Sequence, residues 1–170
     1  MIVLMAGLPG TGKSTLALEL ARRTSGRVLS KDDFRHSIFA PEEIEYSSRQ
    51  DDLVLQLMLQ TAGHLLERTP SLHVFLDGRP FSRRHQINNV ISAAETMHQP
   101  WRIIECVCAE EIARQRLERA AVAADHPAGN RDFQLYLAVR ERFETITLPR
   151  NVIDTSRDLE ASVREALKEL

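Results

Sequence analysis

Cysteine is scarce in this chain of 170 residues: there are two, Cys106 and Cys108. That excludes a disulfide scaffold, and a C-x-C pair in an apolar stretch fits neither a redox C-x-x-C nor a zinc site. Aromatic residues are only 5 %, too few to suggest a stacking platform for single strands. Neither sign of charge dominates. Lysine and arginine number 22 against 24 acidic residues, a formal charge of −2, which excludes coating nucleic acid by bulk charge but leaves room for a local basic groove. No apolar run approaches the ~18 residues of a spanning helix. The first, Met1 to Ala6, stops at Gly7, carries no basic leader and is too short for a signal peptide. The expectation is a cytoplasmic protein with reduced thiols and no membrane partner.

What is present is ordinary globular stock, 43 % apolar and 27 % charged, enough for one domain over residues 1–170. Short apolar runs at 2–6, 27–29, 72–76, 101–107 and 151–154 read as strands. Between them, helical periodicity predicts helices from Lys13 to about Arg23, around 34–39, from Ser48 to about Arg68, from a Ser82 cap to about His98, from Glu110 to about Ala124, from Arg131 to about Ile146, and from Leu159 to Leu170. His126 to Asn130 reads as a loop. Five strands separated by helices predict an α/β domain with a mostly parallel sheet.

The sharpest motif follows the first strand. Gly7-Leu8-Pro9-Gly10-Thr11-Gly12-Lys13-Ser14 fills every fixed position of G-x-x-x-x-G-K-[ST], between a strand and a helix as the chemistry requires. Glycines let successive backbone N–H groups turn toward phosphate oxygens, and the following helix adds its positive end. Lys13 can reach the β- and γ-phosphates, and the Ser14 hydroxyl suits Mg²⁺. A phosphate loop does not by itself separate a kinase from other nucleotide hydrolases, so the remaining loops at the strand ends must discriminate.

Three places carry candidates. After the second strand comes Ser30-Lys31-Asp32-Asp33-Phe34-Arg35. A carboxylate there can accept a hydroxyl proton or hold the hydroxyl in line, and Arg35 can grip an acceptor phosphate or steady transferring charge. The plain alternative is a solvated helix cap. After the third strand, Asp77 can hold Mg²⁺ through water or bind the acceptor, with an Asp-Gly turn as the alternative. Arg79 beside it can meet an anionic acceptor, whereas Arg83 and Arg84 read as a solvated face. After the fourth strand, Arg116 and Arg119 lie three apart on a helix and can cover the γ-phosphate. An exposed basic face is the alternative there. Arg131, past the His126–Asn130 loop, is a further candidate.

The phosphate loop through Thr15, together with residues 30–38, resembles the kinase domain of phage-type polynucleotide kinases. More broadly the chain is similar to small P-loop kinases such as zeta toxins, chloramphenicol phosphotransferase and gluconate kinase. The resemblance implies a P-loop NTPase fold, a three-layer α/β/α sandwich with a helical lid. It implies ATP and Mg²⁺ as cofactors and γ-phosphate transfer to a hydroxyl. It further implies Asp32 as general base, Arg35 on an acceptor phosphate, and Arg116 and Arg119 as lid arginines. The segment Leu76 to Ser82 departs from the polynucleotide kinase pattern, and no residues remain for a phosphatase domain. The expected acceptor is therefore a small molecule of nucleoside, sugar or antibiotic type, with a polynucleotide 5′-hydroxyl as the alternative. A reading from another class is an ATP-binding or ATP-hydrolysing switch module without a hydroxyl acceptor.

Overall fold

The segment Ile2–Ala6 is apolar and buried at every position, a pattern that only a strand covered on both faces tolerates. In the computed structural model, which describes residues 1–123 and 132–170, this segment is β1 at the centre of a sheet. The other strands are β2 (Arg27–Ser30), β3 (Val74–Asp77), β4 (Trp101–Val107) and β5 (Asn151–Asp154). All pairings are parallel, in the order β2-β3-β1-β4-β5. The helices are α1 (Lys13–Thr24), α2 (Lys31–Ile38), α3 (Ser48–Arg68), α4 (Arg84–Thr96), α5 (Glu110–Ala123), α6 (Phe133–Glu141) and α7 (Leu159–Ala166).

The two faces of β1 feed two cores, as a period of two requires. Ile2, Leu4 and Ala6 pack with Val54, Met58 and Ala62 of α3 and with Ile87, Val90 and Ala94 of α4. Val3 and Met5 pack with Leu16 and Leu20 of α1 and with Val163 and Ala166 of α7. Full burial of each such leucine, valine or isoleucine contributes about 1.5–3 kcal/mol. A smaller cluster of Ala113, Leu117 and Tyr136 joins α5 to α6 near Leu8 of the phosphate loop. The result is a three-layer α/β/α sandwich. Among the described residues, no helix is long and apolar enough to cross a membrane.

Several predicted boundaries move: the strand expected at 72–76 lies at Val74–Asp77, and the helix expected around 34–39 is Lys31–Ile38. The fourth helix begins at Arg84, with Arg83 at its N-cap position and no side-chain cap from that residue. Ser82 is buried instead, and its carbonyl accepts from the Glu144 N–H at 2.9 Å. Glu144 returns the tie, its Oε2 accepting from the Arg84 N–H at 2.8 Å. The helix predicted to run to Ile146 stops at Glu141, which frees residues 143–146 to make this link and to bury Ile146 in the α3/α4 core. His126, Asn130 and Arg131 lie outside the described residues.

β1 is the switch point. From it the chain runs to β2 and β3 on one side and to β4 and β5 on the other. In open parallel sheets the crevice beyond the strand ends at that point is where ligands bind. The Gly7 N–H donates to the Pro80 carbonyl at 3.1 Å, which ties the loop after β3 to the one after β1.

Candidate active site

The phosphate loop is built on conformations that side chains resist. Gly7, Gly10 and Gly12 have φ of 132°, 79° and 76°. A Cβ at Gly7 would run into the Cys106 carbonyl, and one at Gly10 would lie 2.8 Å from the Ala113 carbonyl. Gly12 is the N-cap of α1, and no side chain caps that end. The first N–H groups of a 12-residue helix are thus aimed at the crevice, an anion site in waiting. Lys13 is buried, with Nζ donating to the Leu8 carbonyl at 2.7 Å. The Thr11 hydroxyl donates to the same carbonyl at 2.7 Å.

Cavities open on both sides of this loop. One is lined by Gly10, Gly12, Thr15, Arg116, Thr155 and Leu159. Arg116 reaches from α5 across it, donating from Nη2 to the Thr155 carbonyl at 2.7 Å and from Nη1 to the Thr155 hydroxyl at 3.1 Å. The Thr155 hydroxyl in turn donates to the Thr11 carbonyl at 2.9 Å, so α5, the loop after β5 and the phosphate loop are stitched together. The second cavity is lined by Pro9, Lys13, Asp32, Tyr46, Asp51 and Arg142. Ser14 lines both.

Asp32 enters the second cavity because of how α2 starts. Ser30 is the N-cap, accepting from the Asp33 N–H, and Asp33 is exposed. Asp32 is not spent on capping and is buried, its Oδ1 accepting from Arg35 Nη1 at 2.8 Å. Arg35 is fully buried. Its guanidinium also pairs with Asp51 on α3 and lies 5.0 Å from the centre of the Tyr46 ring. Lys31 donates to Asp51 at 2.9 Å. Burial pulls the Lys31 ammonium below the ordinary lysine value, and Asp51 opposes that shift.

Asp77 ends β3 in register with Ser30 of β2 and is buried, with Oδ1 finding no partner among the described residues. An orphaned carboxylate oxygen near a phosphate loop suits a hard cation, which keeps several waters and needs one or two carboxylates plus phosphate. A Mg²⁺ ion would find such an oxygen at Asp77 and a hydroxyl at Ser14, of which only Ser14 lines the two cavities. Among the described residues, no three His, Cys, Asp or Glu side chains cluster to hold a metal by themselves. Arg79 is buried and pairs with Asp52 of α3 at 2.7 Å. Cys106 is no nucleophile: burial pushes its thiol up to about 12.

The structure thus gathers Lys13, Ser14 and Asp32 around one cavity, and Gly10, Gly12, Ser14, Thr15 and Arg116 around the other. It sets Arg35 behind Asp32 and turns Arg79 to Asp52, and Arg35, Asp77 and Arg79 line neither of these two cavities. Arg119 is exposed and lines neither. Sequence reasoning missed Lys31, Tyr46, Asp51 and Arg142 on one side and Thr155 and Arg157 on the other. Asp51, in the first turn of α3, carries no motif that marks it in the sequence. Arg142 was hidden inside an overlong predicted helix.

A protein-family profile described as "AAA domain" matches residues 2–143. No curated protein matches the chain. Solved structures share the fold. A provisionally assigned kinase of Chloroflexus aurantiacus is 24 % identical, with 99 % of this chain and 97 % of that one covered and a TM-score of 0.75. The Mycobacterium tuberculosis APS kinase, solved with AMPPNP and APS, is 16 % identical over 98 % of this chain and 95 % of that one, with a TM-score of 0.73. A Sinorhizobium meliloti gluconokinase is 17 % identical over 98 % and 89 %, with a TM-score of 0.67.

Proposed function

The chain belongs to this AAA-domain family, and from that premise we propose that it is a Mg·ATP-dependent kinase acting on a hydroxyl of a small molecule. The observation that carries the reading is the pair of cavities meeting at Ser14, one over the phosphate loop and one holding a carboxylate. Donor and acceptor enter from opposite sides and meet at the terminal phosphate. The fold shared with the APS kinase solved with AMPPNP and APS accords with a nucleotide and a second small molecule on a domain of this kind.

The Gly7–Ser14 backbone would hold the phosphates of ATP, and the cavity lined by Arg116 and Thr155 would take the rest of the nucleotide. Lys13 leaves the Leu8 carbonyl for the β- and γ-phosphates. Ser14 and, through water, Asp77 would hold Mg²⁺, which would supply positive charge against the phosphates. The acceptor hydroxyl sits against Asp32, which takes its proton as the oxygen attacks the γ-phosphorus. The bond from that phosphorus to the bridging oxygen breaks, and ADP leaves with the electron pair. The protein supplies placement and fixed charge.

The test is γ-labelled ATP incubated with nucleosides, sugars, aminoglycoside-type compounds and 5′-hydroxyl oligonucleotides. Label on one small alcohol is expected. Label on the oligonucleotides alone would replace the acceptor class, and label released only as inorganic phosphate would contradict kinase chemistry.

A further inference from the structure

Asp32 and Asp51 both line the acceptor cavity, yet their surroundings differ. One oxygen of Asp51, Oδ1, accepts from Lys31 Nζ at 2.9 Å and also from Arg35. One oxygen of Asp32, Oδ1, accepts from Arg35 Nη1 at 2.8 Å. Oδ2 of Asp32 has no hydrogen bond among the described residues. Buried Lys31 and Arg35 are thus shared unevenly between two carboxylates: among the described residues, Asp51 takes two cationic donors and Asp32 one.

The geometry points to Asp51 as a positioning residue for Asp32. This rests on the proposed reading of Asp32 as the proton acceptor. Arg35 is one turn on from Asp32 and donates to it, and Lys31, which precedes Asp32 on α2, is near enough for the Asp32 charge to act on its ammonium. Buried cations without a partner seek the nearest anion. Asp51, arriving from the first turn of α3, draws both toward itself. What remains on Asp32 is one bond that fixes its rotamer and one oxygen open to accept a proton. Asp52, next along α3, holds Arg79 after β3 in the same way, so the start of α3 braces both loops that flank the acceptor cavity. Arg35 then serves as the hinge of this arrangement and not as a hand on the acceptor's phosphate.

The test is Asp51→Asn, which keeps the shape and removes the charge. In crystals grown with Mg·AMPPNP, Arg35 or Lys31 is expected to donate to both oxygens of Asp32. With water as the acceptor, turnover of ATP should fall at least about tenfold, part of the usual range for a positioned base. The KM for ATP should stay within about twofold, because the donor cavity is untouched. The double variant Lys31→Met/Asp51→Asn removes the surplus cation, restores charge balance if the single variant folds poorly, and should recover most of the lost turnover. An Asp32 oxygen still open in the Asp51→Asn crystals would overturn the inference. So would turnover unchanged by Asp51→Asn, or lost equally in the single and double variants. If the wild-type chain turns over no ATP with water, the crystals alone decide the role of Asp51, and the proposed function is judged separately by the labelled-acceptor assay.

Discussion

Adjacent residues of one type are put to different uses here. Asp32 and Asp33 follow one another, yet one is buried at the cavity and the other exposed, because Ser30 caps α2 and relieves both of that task. Cys106 and Cys108 differ likewise. Cys106 is buried, with its thiol pushed up to about 12, while Cys108 is half-buried and raised by burial. In the folded protein at neutral pH, a colorimetric thiol reagent should leave Cys106 unmodified, and both thiols should react once denaturant is added. Rapid modification of Cys106 in the native state would contradict its placement beneath the phosphate loop. The loop itself was legible residue by residue, since its chemistry needs fixed types at fixed spacing. The clamp around Asp32 was not, since Asp51 reaches it from another element.

Among the elements, those whose limits are written in their own residues were read correctly. β4 and β5 end where their apolar runs end, and α3 runs from Ser48 to Arg68 behind a Ser47 cap that accepts from the Gln50 N–H. α4 and α6 were misjudged because a distant carboxylate sets one and a return to the core stops the other. Glu144 receives the Arg84 N–H and the Arg83 guanidinium, and those bonds, in that order, hold its carboxyl below the usual range. A folded-state value below the unfolded one means that its contribution is present above the unfolded value and is lost as pH falls through the folded one. Glu144→Gln should therefore lower the melting temperature at about pH 7, and the gap to wild type should narrow as the pH falls below the usual carboxylate range. A gap that stays constant across that range would show that charge plays no part in this cap.

At the scale of the molecule, the parallel sheet brings side chains from β2, β3 and the two halves of the chain to one edge. That arrangement was legible as a fold class. Which arginines end in a cavity was not, because helical spacing places Arg116 and Arg119 on one broad face while packing of Ala113 and Leu117 turns only Arg116 inward. Ligand linkage gives a global check. Mg·AMPPNP at about 100 times its Kd should add about 2.7 kcal/mol of stability. For a chain of this size that raises the melting temperature by about 5–11 °C. Chelating the metal should remove much of that rise, and an equal rise without metal would contradict the Ser14 and Asp77 assignment.

The account turns on two groups meeting at one phosphorus: the cradle of Gly7 to Ser14 and the carboxylate of Asp32. Asp32→Asn keeps the volume and removes the proton acceptor, so transfer of label from γ-labelled ATP to the acceptor should slow by about 10²–10⁴. The Kd for Mg·AMPPNP, titrated on the same sample, should be unchanged within about twofold, since Asp32 does not line the donor cavity. Transfer at the wild-type rate in that variant would contradict the central claim.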